Sequence, residues 1–106
     1  MRISIERSGG FAGIRMKTAV EEEDLSLDEA QKLHQMVEEV DFFNLPEKII
    51  SQSPQPDRFQ YELRLEKSGR QYKVTVSEEA LPEKLIPLIK WLMEKVRQPK
   101  KGKESS

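Results

Sequence analysis

Residues 58–76 constrain the fold more than any other part of the chain. Phe59, Tyr61, Leu63 and Leu65 alternate with Arg58, Gln60, Glu62 and Arg64, "KSGR" turns the chain, and Tyr72, Val74 and Val76 resume the pattern. Side chains alternate faces along a strand, so period two with an apolar and a charged set predicts a hairpin buried on one side only. A two-stranded ribbon is marginal by itself, and its apolar face must find more strands and a covering layer elsewhere in the sequence.

The rest of the chain supplies both. Ile3 and Ile5 alternate with Ser4 and Glu6, and Ile14, Met16, Thr18 and Val20 alternate with Arg15, Lys17 and Glu21, which predicts two more strands with one wet face. Between the strand pairs, Ser26 and Glu29 stand at the capping-box spacing, and Leu27, Ala30, Leu33, Val37 and Val40 follow at helical spacing. A second helix carries Leu85, Leu88, Ile89, Leu92 and Val96 on one face, with Pro82 suited to its first turn. Pro87 lacks the N–H of a helix interior, so either a short turn precedes a helix that begins near residue 87, or the helix kinks there. The order is ββαββα, an α+β fold. About four antiparallel strands present Ile3, Ile5, Met16, Val20, Tyr61, Leu63, Val74 and Val76 to Leu33, Val37, Leu88 and Leu92 of two helices packed on one face. Residues 44–57, "NLPEKIISQSPQPD", are expected as one long surface connection, with Ile49 and Ile50 available to cover the sheet end.

With 106 residues and no internal repeat, one domain over residues 1–96 is expected, followed by a flexible basic tail at 97–106. The charged fraction is 35% and the hydrophobic fraction 36%, which suits a small water-soluble domain with an extensive polar surface. The net charge of −1 conceals an asymmetry: the tail carries four basic residues against one acidic, and the other 96 residues carry 14 basic against 18 acidic. A mildly acidic body argues against nucleic acid as the partner, because a nucleic-acid binder needs a basic face on the domain itself. No apolar run approaches the roughly 20 residues of a membrane span, and "MRISIERSGG" alternates where a secretory signal would be continuously apolar. The expectation is a cytoplasmic protein without a membrane partner. The absence of cysteine agrees with a reducing compartment and removes thiol nucleophiles, disulfides and thiolate metal sites.

Enzymatic chemistry lacks its parts. His34 is the single histidine, so a two-histidine metal site within one chain is impossible, and its place on a helix between Leu33 and Gln35 fits an edge or solvent-facing residue better than a catalytic base. Glu21, Glu22, Glu23 and Asp24 lack the spaced ligands and turn glycine of a calcium loop and read as a solvated strand end. "SGGFAG" ends in neither the Gly-Lys-Ser/Thr of a phosphate loop nor the dinucleotide pattern. Trp91 and Met93 are explained by core packing. No catalytic residue, metal or cofactor is expected.

What remains is recognition, and one stretch invites it. In "RSGGFAGI" the large aromatic Phe11 stands among Gly9, Gly10, Ala12 and Gly13, flanked by Ser8 and Ile14. One reading is a wide hairpin loop whose glycines supply positive φ and whose Phe11 folds back over the sheet end. The other is a presented ligand, with accessible backbone that another protein's cleft binds as an added strand while pocketing Phe11.

Together, "RSGGFAGI", "VEEVDFFNLPE" closing the first helix, "DRFQYELRLEKSGRQYKVTVSE" in the hairpin and "LIKWL" near the end resemble the emfourins over residues 2–95. These are small bacterial protein inhibitors of thermolysin-like zinc metallopeptidases such as protealysin. The resemblance implies a cytoplasmic inhibitor, expected as a monomer when free, whose partner is a protealysin-like metallopeptidase held in check inside the producing cell. Such peptidases cut on the amino side of bulky hydrophobic residues, so the Gly10–Phe11 and Gly13–Ile14 bonds look like acceptable substrates. On that reading Ser8 through Ile14 form the inhibitory loop, Phe11 enters the pocket on the leaving-group side of the zinc, and Gly9 and Gly10 permit close backbone approach. Zinc chelation by inhibitor cysteines is excluded. Two rivals stand beside it. An interaction module for a different protein would use the same loop, and a nucleic-acid role would rest on the tail lysines with Arg58 and Arg64, against the interleaved Glu62 and Glu66.

Overall fold

The computed structural model describes residues 1–9, 15–51 and 58–97. Its strands are β1 (Arg2–Gly9), β2 (Met16–Glu21), β3 (Lys48–Ile49), β4 (Phe59–Lys67) and β5 (Arg70–Ser77), and its helices are α1 (Leu27–Val40) and α2 (Ile86–Arg97). They form one sheet in the order β2-β1-β4-β5-β3. The α+β class is as expected, but the sheet has five strands and is mixed, because β3 runs parallel to β5 with Lys48 opposite Thr75 and Ile49 opposite Val76. The expected unbroken connection over 44–57 therefore contains a strand. Two residues are too few to show an alternation, and what makes them a strand is backbone pairing with a distant partner, including the Thr75 N–H donated to the Glu47 carbonyl at 2.8 Å.

The hairpin forms as its pattern requires. Leu63 pairs with Ile5 on one side and Val74 on the other, and Ser68 and Gly69 make the turn with φ of 53° and 78°, the left-handed pair that matches strand twist. Ile3, Ile5, Val20, Tyr61, Leu63, Leu65, Val74 and Val76 are buried against Leu33, Val37, Leu88 and Leu92 in one core. Met16 departs from the expectation. It is only partly buried, since the ladder with β1 ends at its pairing with Arg7. The other sheet face stays polar, where Arg2, Ser4, Glu6, Lys17, Ala19, Arg64 and Glu66 line a shallow concavity.

Ser26 caps α1, its Oγ accepting the Glu29 N–H at 3.2 Å, and the Glu29 carboxylate meets Lys95 of α2 at 2.7 Å. The buried stripe of α1 is Leu33, Met36, Val37 and Val40. Leu27 has the spacing of that stripe and is instead 76% exposed, beside Met1, Leu25 and Ala30. The helix stops at Asp41 in the left-handed conformation, φ 52°, and the following turn buries Phe42 edge-on to Tyr72, whose hydroxyl donates to the Leu45 carbonyl. A 3₁₀ turn at Glu83–Leu85 precedes α2 and puts Pro87 in the helix's first turn, where no N–H partner is lost, so the short-turn alternative holds. The side chain of Val96 and the tail residues 98–106 lie outside the described residues.

Candidate functional site

The stretch singled out by sequence begins at one end of the sheet. β1 lies between β2 and β4, but the two ladders end at different points: pairing with β2 stops at Arg7 opposite Met16, whereas pairing with β4 continues through Ser8 opposite Gln60 to Gly9 opposite Phe59. Ser8 is partly buried and Gly9 exposed. Gly10, Phe11, Ala12, Gly13 and Ile14 lie outside the described residues, as do residues 52–57. Gly9 and Phe59 face each other, so the chain enters the first of these segments and leaves the second at the same end of the sheet.

Gly9 is required there. Its φ is +97°, and a Cβ would lie 2.7 Å from the Arg58 carbonyl oxygen, inside the closest approach real Cβ atoms make. The backbone of β1 is thus pressed onto the start of β4 by a residue with no side chain. Phe59 is fixed in turn by its N–H, which donates to Glu78 Oε1 at 3.0 Å, and its ring lies 4.3 Å beneath the Arg7 guanidinium carbon. On the polar face, Arg15 Nη1 reaches Glu6 Oε2 at 3.5 Å. Gly9→Ala is expected to destabilise the domain by about 1–3 kcal/mol through the strained φ and the clash. Urea unfolding measures this, and an unchanged midpoint would mean that the close approach does not exist.

His34 lies at the other end. Its Nε2 is 2.5 Å from Glu22 Oε2, and Glu22 Oε1 is 3.2 Å from the N-terminal ammonium. The hydrogen bond from His34 first, and then that from the ammonium, hold the Glu22 carboxyl below the usual carboxylate range. Glu22 follows β2 beyond the Arg2–Glu21 pair, so eight residues of β1, roughly 23 Å at strand rise, separate this cluster from Gly9. Among the described residues no group of three or more His, Asp or Glu side chains is placed to hold a metal ion. Trp91 and Met93 pack against the core.

Sequence reasoning missed one feature. Leu27, with Met1, Leu25, Ala30, Glu22 and Glu23, lines an open hollow of about 400 Å³ beside the His34 cluster. Helical spacing alone assigns Leu27 to the buried stripe; its adjacency to the Ser26 cap, at the very start of the helix, was the available sign that it overhangs.

A family model described as Emfourin matches residues 5–93, a span that includes the whole Ser8–Ile14 stretch. No curated protein matches the sequence. Among solved structures, an emfourin from Serratia proteamaculans, described as an M4 family peptidase inhibitor, is 21% identical, with 82% of this chain and 83% of that chain covered and a TM-score of 0.48.

Proposed function

The chain belongs to the emfourin family, whose members are peptidase inhibitors and not enzymes, and from that premise we propose that it inhibits a thermolysin-like zinc metallopeptidase by occupying the active-site cleft with residues 8–14. The observation that carries the reading is the family match over residues 5–93. The geometry around it is a support. Gly9 is held against β4 and Met16 against β1, so the stretch runs between two neighbouring strands of one sheet. A segment held at both ends loses little freedom on binding. On this reading Phe11 fills the hydrophobic pocket on the leaving-group side of the zinc, and Gly10 lets the main chain approach as a substrate would. A peptide bond cut in such a loop keeps both new ends in place, and re-forming it is easier than releasing product.

The inhibitor has no cysteine with which to take the metal. Inhibition is therefore expected to be stoichiometric and reversible, relieved by raising substrate and unaffected by excess zinc. A titration of protealysin or thermolysin measures each of these. Recovery of activity on adding zinc would mean that the metal had been stripped and would remove the occlusion mechanism. Failure to inhibit any thermolysin-like enzyme, with a different protein bound through the same loop, would make the chain an interaction module for another partner.

A further inference from the structure

Arg7 breaks the alternation of β1. Ile3 and Ile5 point into the core, so period two puts Arg7 on the same face, opposite the buried Tyr61 and beside Met16. A cation in that position normally brings a carboxylate with it. Here its surroundings are a ring and a thioether: the guanidinium carbon is 4.3 Å from the Phe59 centroid, and Nη2 lies against Met16 Sδ. The Arg7 Nε atom is buried and has no hydrogen-bond partner. None of the ion pairs among the described residues involves Arg7. A thioether is a weak acceptor, and a ring face attracts charge without offering a lone pair. The guanidinium thus lies over Phe59 and beside Met16 with no carboxylate paired to it among the described residues. A leucine or methionine would satisfy the same space at lower cost to the fold.

We propose that Arg7 is a recognition residue for a carboxylate on the protein that docks at this end of the sheet. The inference rests on the inhibitory reading above, which makes that protein a thermolysin-like metallopeptidase. Arg7 precedes Gly9 by two residues and pairs with Met16 on the far side of the candidate stretch, so it sits at the base of the segment the peptidase would engage. The residue is partly exposed although its Nε is buried. The arriving carboxylate supplies the missing counter-charge. The contacts with Phe59 and Met16 restrain the side chain before binding, so less freedom is lost, and exclusion of water strengthens the charge-assisted bonds.

The test compares wild type, Arg7→Met and Arg7→Lys against the same thermolysin-like peptidase, with melting temperature and association and dissociation rates measured for each. Arg7→Met is expected to melt at the wild-type temperature or above it, because the sheet end loses a cation that has no anionic partner among the described residues. It should inhibit about ten- to a hundredfold more weakly, mainly through faster dissociation, as expected when one partner of a desolvated charge pair is removed. Arg7→Lys should recover part of the loss, since it keeps the charge without the fork. Undiminished inhibition by folded Arg7→Met overturns the proposal while leaving the inhibitory reading intact. An Arg7→Met that fails to fold, or loses stability and inhibition together while Arg7→Lys stays folded, makes Arg7 a structural brace and overturns it too. A wild-type chain that inhibits none of these enzymes removes the parent reading and this inference with it.

Discussion

Phe11→Ala is expected to weaken inhibition of a thermolysin-like peptidase roughly 30- to 1,000-fold, the equivalent of about 2–4 kcal/mol for an aromatic anchor removed from the centre of an interface. The melting temperature should stay close to that of wild type. Ile3, Ile5, Leu63 and Leu65 are buried in one core with Leu33, Val37, Leu88 and Leu92 of the two helices. Phe11→Leu should retain most of the inhibition, because a pocket that selects bulky hydrophobic side chains accepts leucine. The competing view of the stretch, a hairpin loop whose ring covers the sheet end, requires the opposite pattern. Truncation would then lower the melting temperature, and inhibition would fall only as the protein unfolded. Measuring both quantities on one preparation separates the two, and full inhibition by a folded Phe11→Ala would exclude Phe11 from the contact.

Leu63→Asp is expected to abolish folding. Leu63 is fully buried in the strand that joins the two halves of the sheet, with Ile5 across one ladder and Val74 across the other. Losing the leucine forfeits about 1.5–3 kcal/mol of burial. Putting an ionised carboxylate in its place without a partner costs several kcal/mol more. Against a total stability of about 5–15 kcal/mol for a small domain, the sum leaves little or nothing. Circular dichroism and a urea titration measure the outcome. Arg64→Gln is the control, one residue along on the polar face, where the side chain is 61% exposed and its ion pair with Glu62 at 2.8 Å is worth at most about 1 kcal/mol. A cooperative wild-type transition in Leu63→Asp, with Arg64→Gln unfolded, would mean that the pairing register is shifted by one residue, since one step exchanges the two faces.

The contrast between neighbouring positions 63 and 64 indicates what was legible in the chain. Alternation, helical spacing and caps are local, and each is a direct consequence of backbone geometry. The β4–β5 hairpin with its Ser68-Gly69 turn, the Ser26 cap, the stripe through Leu33, Val37 and Val40, and the onset of α2 beside Pro87 all follow from residues within a few positions of one another. So does the α+β class, because two half-buried strand pairs and two amphipathic helices have few ways to cover each other. The four separated blocks that resemble the emfourins were equally visible, being a matter of residue order alone.

Tertiary structure decided everything that depends on where a residue ends up and not on what flanks it. Lys48 and Ile49 become a strand only because β5 offers an unpaired edge, which no pattern in "PEKII" announces. Leu27 has the right spacing to be buried and is exposed, lining an open hollow with Met1, Leu25 and Ala30. Glu22, His34 and the N-terminal ammonium meet across 12 and 21 residues of chain, and the depressed titration of Glu22 exists only in that meeting. Arg7 reads as one more charged residue in a strand of mixed character; its position over Phe59, with Nε buried and unpartnered, is set by the register of three strands. The physical reason is the same in each case: periodicity fixes which face a side chain is on, whereas its neighbours on that face are supplied by distant segments whose approach is decided by the packing of the whole core.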